Sequence, residues 1–203
     1  CWVAKEAKVY GDASVKENAV VDDVAIVKDR ATIMEMAYIC DNAVVCNNAM
    51  IRGMASVNEN AVVGGEVDIS EGSYICGNVS IKGEGFICDG AYVGGNTDID
   101  GDFEIYDCAI LGGRINGTNV TIKGDVLISE GADISGDSFI NGGAKINFKV
   151  AQTSDYFTYR DPSRPHVVVT ASIHEDIWNI GDLSCTAKEF IEYGYSLTDT
   201  NGK

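Results

Sequence analysis

Aliphatic side chains recur at every sixth position over most of this chain: Val3, Val9, Val15, Val21, Val27, Ile33, Ile39, Val45, Ile51, Val57, Val63, Ile69, Ile75, Ile81, Ile87, Val93, Ile99, Ile105 and Leu111. After one missing residue near Gly117 the series resumes at Ile122 and runs through Ile128, Ile134 and Ile140 to Ile146. Two places before most of these stands a small residue, alanine without exception from Ala7 to Ala61. In an extended strand the first and third of three residues share a face and the second points away. Each Ala-x-Val triplet therefore predicts a short strand with two residues in and one out. The other three places are rich in Gly, Asp, Asn and Glu. Gly, Asp and Asn tolerate positive φ or bond their own backbone, which predicts a turn. No single hexad can bury its apolar side alone, so the hexads must stack.

Over roughly residues 1–146 this hexad resembles the repeat of the hexapeptide-repeat family of left-handed parallel β-helices. The resemblance implies three hexads per coil, a triangular prism and stacking at 18-residue intervals. The fold class expected is an all-β solenoid of about eight coils, about 4.8 Å per rung, over residues 1–149. Residues 150–203 are left as a small C-terminal cap. The stretch 115–119 is a pentad in place of a hexad, with Gly117 where an aliphatic side chain would stand, and predicts a bulge or pinched corner.

Sorting the outward place of each hexad by coil separates three sides. The first reads Trp2, Val20, Tyr38, Ser56, Tyr74, Tyr92, Ile110 and Leu127. The second reads Lys8, Ile26, Val44, Val62, Ser80, Asp98, Asn116 and Asp133, and the third Ser14, Thr32, Met50, Asp68, Phe86, Glu104, Thr121 and Phe139. Only the first is apolar and aromatic along nearly its whole length. An apolar stripe of that length marks a contact surface, so Val20, Tyr38, Tyr74, Tyr92, Ile110 and Leu127 are the candidate interaction face. Its cover is expected to be a protein partner, two further copies in a homotrimer, or the C-terminal segment folded back.

The appendage reads as a β-β-β-α unit. Strands are expected at Tyr156–Tyr159, His166–Thr170 and Ile177–Ile180, with a turn at Asp161–Pro165. Thr186 and Glu189 form a capping box for a helix ending near Tyr193. Such a unit is too small to be very stable alone and is expected to dock on the last coil. The solenoid followed by Ser-Asp-Tyr-Phe-Thr, a Val-rich strand and Cys-Thr-x-x-Glu-Phe is similar to proteins of bacteria and their prophages. It is loosely similar to YdcK-like transferases.

Charge and chemistry narrow the function. The formal net charge is −16, which excludes direct nucleic-acid binding through phosphates. Asp98, Asp100, Asp102, Glu104 and Asp133 form a candidate acidic patch. Asp98, Asp100 and Asp102 lack the Gly and distal Glu of a calcium loop. The seven cysteines are odd in number and sit mostly on turns, as free thiols of a reducing cytoplasm do. No apolar run approaches membrane-spanning length. The family resemblance implies an acyltransferase with a histidine base on the prism. Residues 1–165 contain no histidine, leaving His166 and His174 as weak catalytic candidates. The expectation is a cofactor-free, metal-free scaffold or protein-binding solenoid, phage- or mobile-element-associated. The alternatives are a divergent acyltransferase and an acidic inhibitor that mimics nucleic acid.

Overall fold

The computed structural model describes residues 1–107, 109–160, 168–180 and 183–192. Its first three quarters are a parallel β-solenoid. Two-residue strands such as Val20–Val21, Tyr38–Ile39 and Ser56–Val57 each pair in parallel with the strand one coil away, Val20 with Tyr38 and Tyr38 with Ser56. Three such stacks give three sides. Side 1 begins at Trp2–Val3, side 2 at Lys8–Val9 and side 3 at Ser14–Val15. Eight coils are complete, and Lys145–Ile146 and Lys149–Val150 add two thirds of a ninth. Inside, the small and the branched residue of each hexad are closed from water, as at Ala37, Ile39, Ala49 and Ile51. Layers of alanine against valine or isoleucine fill the narrow interior with little side-chain entropy to lose.

From Gly11 to Asp107 the corners follow one rule. The residue two places beyond the interior aliphatic adopts positive φ, whether it is Asp23, Glu35, Asp41, Asn47 and Glu59 or Gly65, Gly77, Gly83 and Gly101. Its N–H points back toward the preceding coil. In the lower coils an acid one rung below receives it. Asp23 Oδ2 accepts from Asp41 N at 3.3 Å, Asp41 Oδ2 from Glu59 N at 3.0 Å, Asp29 Oδ2 from Asn47 N at 3.1 Å and Glu35 Oε2 from Gly53 N at 2.7 Å. Beside this series runs an amide ladder, Asn42 to Asn60, Asn60 to Asn78 and Asn78 to Asn96, at 3.0–3.2 Å.

The irregular coil differs from the sequence expectation. Ile110 pairs with Val93 and Ile128 and is fully buried, so it fills the interior and is removed from the outward face. Ala109 is in register with Tyr92 on one side and Leu127 on the other. From Ile105 the interior steps are five residues to Ile110, five to Ile115 and seven to Ile122. The shortfall is thus spread over a whole coil rather than confined to 115–119. Gly117 is a corner residue in register with Gly101, and Arg114, not Asn116, holds the outward place on side 2.

The appendage is a four-stranded antiparallel sheet of Tyr156–Arg160, Val168–Ser172, Trp178–Ile180 and Leu183–Cys185, then a helix over 187–192. The strand at 183–185 was not expected. The capping box is present: Thr186 N donates to Glu189 Oε2 at 2.8 Å and Glu189 N to Thr186 Oγ1 at 3.3 Å. Trp178 packs between Phe157 and Phe190. Side chains of this sheet close the last coil. Thr170 Oγ1 accepts from Lys145 N at 3.1 Å, Asn179 Nδ2 donates to Lys145 O at 2.8 Å, and Tyr156 O–H donates to Phe139 O at 3.1 Å. Thr170 and Asn179 are buried, so these contacts replace water on an otherwise open strand edge. The expected turn at 161–165, and His166, lie outside the described residues. Among the described residues no helix is long and apolar enough to cross a membrane.

Candidate functional site

Side 1 carries the candidate face. Tyr38, Tyr74 and Tyr92 occupy the outward place of their strands, which alternation fixes once the interior residue is buried. Each ring leans along the corner toward the preceding coil. The Tyr38 hydroxyl donates to Asp22 Oδ2 at 3.3 Å, the Tyr74 hydroxyl accepts from Asn58 Nδ2 at 2.8 Å, and the Tyr92 hydroxyl accepts from the Cys76 thiol at 3.2 Å. The partner always lies sixteen residues back, so the three rings share one orientation. Tyr74 and Tyr92 stack with centroids 5.7 Å apart and planes 16° from parallel. Each of the three nevertheless leaves more than a third of its surface open.

The Tyr38 and Tyr92 hydroxyls stay protonated at neutral pH. Burial, then Cys40 and the Asp22 carboxylate, pushes Tyr38 up to about 12. The hydrogen bond with Cys76 and its charge, then burial, pushes Tyr92 up to about 12. These are fixed aromatic surfaces and not proton-transfer groups at neutral pH.

The other expected residues divide. Trp2 and Val20 continue the face toward the first coil. Leu127 lies beyond Ala109 and belongs to a groove against the appendage, with Ser129, Lys145, Asn147, Leu183 and Ser184. The acidic patch does not converge. Asp98 is outward on side 2, in register with Arg114, and Asp100 and Asp102 lie at the next corner. Glu104 is on side 3, accepting from Tyr106 O–H at 3.2 Å. Asp133 pairs with Lys149 at 3.8 Å. A different acid row, Glu66, Glu84 and Asp102 on consecutive rungs, was missed because its members fall on turn positions.

Sequence reading also overlooked three neighbours of the tyrosines. Met36 and Met54 are exposed at the corner that leads into side 1, on adjacent rungs. Asn58 Oδ1, in the rung of Ser56, is a buried side-chain oxygen without a hydrogen-bond partner. At the same edge of the face Asp23, Cys40 and Asp41 bring one ligand atom each within 4.8 Å of one another. Burial, then the Asp41 carboxylate, pushes the Cys40 thiol up to about 11, and it donates to Asp41 Oδ2 at 3.6 Å. A thiol held protonated is a poor metal ligand. The six described cysteines are free.

Of the two histidines, His174 is described. It is not joined to its neighbours Glu175 and Asp176 but to Asp155, with Nε2 3.1 Å from Oδ1. Asp155 is buried, and its Oδ2 accepts from Ala151 N at 2.7 Å and Gln152 N at 3.1 Å. Burial would raise this carboxyl, yet the hydrogen bonds from Ala151, His174 and Gln152 outweigh it and hold it below the ordinary aspartate range. The His174 ring is largely open to water.

Fold and site together define a three-sided parallel β-solenoid with a preorganised tyrosine side and a sealed C-terminal end. No known family model, curated protein or solved structure matches the chain.

Proposed function

We propose that this chain is a non-enzymatic, protein-binding scaffold of the hexapeptide-repeat left-handed type, with side 1 as its contact surface. The observation that carries this reading is the set of three tyrosines held in one orientation on a rigid side, each still substantially exposed. Tyrosine offers large amphipathic area at small conformational cost, and anchoring its hydroxyl lowers that cost further. The resemblance to prophage proteins fits a partner encountered in a phage or mobile-element setting. The test places a photo-crosslinking residue at position 92 on side 1 or position 80 on side 2. Capture of one defined protein from position 92 alone, lost on Tyr38→Ala with Tyr74→Ala, is the expected result. Equal capture from both sides, or none, overturns it. Light scattering on the same protein separates a foreign partner from self-association, since a trimer closed around side 1 would triple the mass.

A second reading rests on the Asp155–His174 pair. A buried carboxylate that orients an exposed imidazole is the arrangement a general base requires, and a divergent acyltransferase would place its base there. Acyl-CoA turnover abolished by His174→Ala would favour it. Turnover unchanged by that substitution would remove it.

A further inference from the structure

The tyrosine row has a missing member. Ser56 is in register with Tyr38 below and Tyr74 above, so the two tyrosines stand two rungs apart, about 10 Å, with a serine at the outward place of the rung between them. Tyr74 and Tyr92, one rung apart, show what a filled step looks like, with ring centroids at 5.7 Å. One further ring placed between Tyr38 and Tyr74 would lie about 5 Å from each, within the range of stacked aromatic pairs. The gap is one ring thick. Tyr38 and Tyr74 are both 39% exposed, and Ser56 is partly open.

The rims on the two sides of this gap differ in chemistry. Toward side 3 stand Met36 and Met54, exposed by 58% and 66%, polarizable side chains that pack readily against aromatic edges. Toward side 2 the corner offers Asp41 and Glu59 on adjacent rungs, with no Lys or Arg in 40–42, 58–60 or 76–78. At the same corner Asn58 holds the Tyr74 hydroxyl through its Nδ2 at 2.8 Å, and its Oδ1 is buried without a hydrogen-bond partner.

Resting on the protein-binding reading of side 1, we infer that the Ser56 gap is a slot for a single aromatic side chain of a partner protein, presented beside a lysine or arginine. The ring completes the Tyr38–Tyr74 stack and touches the methionine rim, while the basic neighbour meets Asp41 and Glu59. Charge argues against a second copy as the occupant. Two chains of net charge −16 would bring acidic corners together, and like charges across an interface are unfavourable.

The probe is the amidated tripeptide Lys-Trp-Lys, with Lys-Leu-Lys and Glu-Trp-Glu as controls, titrated into the full chain by NMR with the ring resonances of Tyr38 and Tyr74 observed. Lys-Trp-Lys shifts both rings, and each control binds at least about tenfold more weakly. Ser56→Tyr fills the slot with the residue the row lacks, keeps the fold, and lowers affinity by about tenfold or more. Ser80→Tyr, the same change on side 2, leaves affinity unchanged. Binding that survives Ser56→Tyr, that falls equally with Ser80→Tyr, or that leaves the Tyr38 and Tyr74 rings unmoved overturns the slot. Crosslinking from position 92 persisting while the slot fails would retire this inference and leave the scaffold reading standing. Loss of both would retire the pair.

Discussion

The lower coils, up to about residue 63, and the upper coils, from 64 to 122, turn the same corners by different means. Below, the positive-φ place is held mainly by Asp, Glu or Asn, whose side chain receives an N–H from the next coil. Above, at the corner between sides 2 and 3, Gly65, Gly83 and Gly101 follow one another, and a Cβ on any of them would overlap the carbonyl oxygen of the glycine one rung on. Acid corners leave room and bond through side chains. Glycine corners close up backbone on backbone, and the strands there run through the turns without interruption, as over Tyr92–Tyr106. The tyrosine row crosses this boundary: Tyr38 and Ser56 lie below it, Tyr74 and Tyr92 above it. The hydroxyl partners Asp22, Asn58 and Cys76 each stand one place before the positive-φ residue, so the row continues past Gly77, where that residue is a glycine.

Exchanging the two corner types should break the comparison most sharply. Gly83→Asp combines strained positive φ with backbone overlap and should cost about 3 kcal/mol or more, seen as an early urea midpoint. Asp41→Gly, the reverse exchange, should cost only about 1 kcal/mol by removing the acceptor of Glu59 N. Similar losses for the two would show that the corners are interchangeable.

A smaller effect isolates one adaptation of the upper coils. Gly85 lies directly below Phe103, which replaces the usual small interior residue, and a Cβ at 85 would strike the Phe103 ring and carbonyl. Gly85→Ala should cost about 1–3 kcal/mol. Combined with Phe103→Ala it should cost less than the sum of the two, by about 1 kcal/mol or more. Strict additivity in urea unfolding would show that the two positions do not share a space.

The smallest effect concerns the cap, where acids are used differently again. Asp155 has its folded-state affinity for protons lowered, so its contribution to stability is complete above the ordinary aspartate range. It is lost as pH falls through the lower folded value. Asp155→Asn should therefore flatten the acid limb of the stability profile below about pH 4. An unchanged acid limb would show that Asp155 does not carry it.

Much of this was legible from the hexad alone. Small and branched residues at fixed places give the three sides, the interior and the turns, and Thr186 with Glu189 gives the helix start. The phase through the irregular coil was not legible, because Ile110 and Leu111 are adjacent aliphatics and either could continue the series. Only strand register decides between them. The serine in the tyrosine row could be read, but its meaning depended on the direction in which the rings lean. Asp155 is invisible as a partner of His174 because antiparallel pairing of Tyr156 with Ser172 brings the two together. The Leu183–Cys185 strand has too few residues for any alternation to stand out.

The coil between Ile105 and Ile122, with its steps of five, five and seven, carries a rule about which length changes this protein can accept. A loss of one residue is absorbed within a single circuit, so Ala109 and Leu127 still fall in register with the tyrosine row, on the rungs after Tyr92. Removing six residues would preserve every buried layer yet carry all later side chains round to the adjacent side, severing Tyr92 from Tyr38. Removing eighteen, for example 56–73, would shorten the prism and set Tyr74 directly against Tyr38. The interior counts in sixes and the surface in eighteens, so homologues that keep the same partner should differ in length by whole circuits.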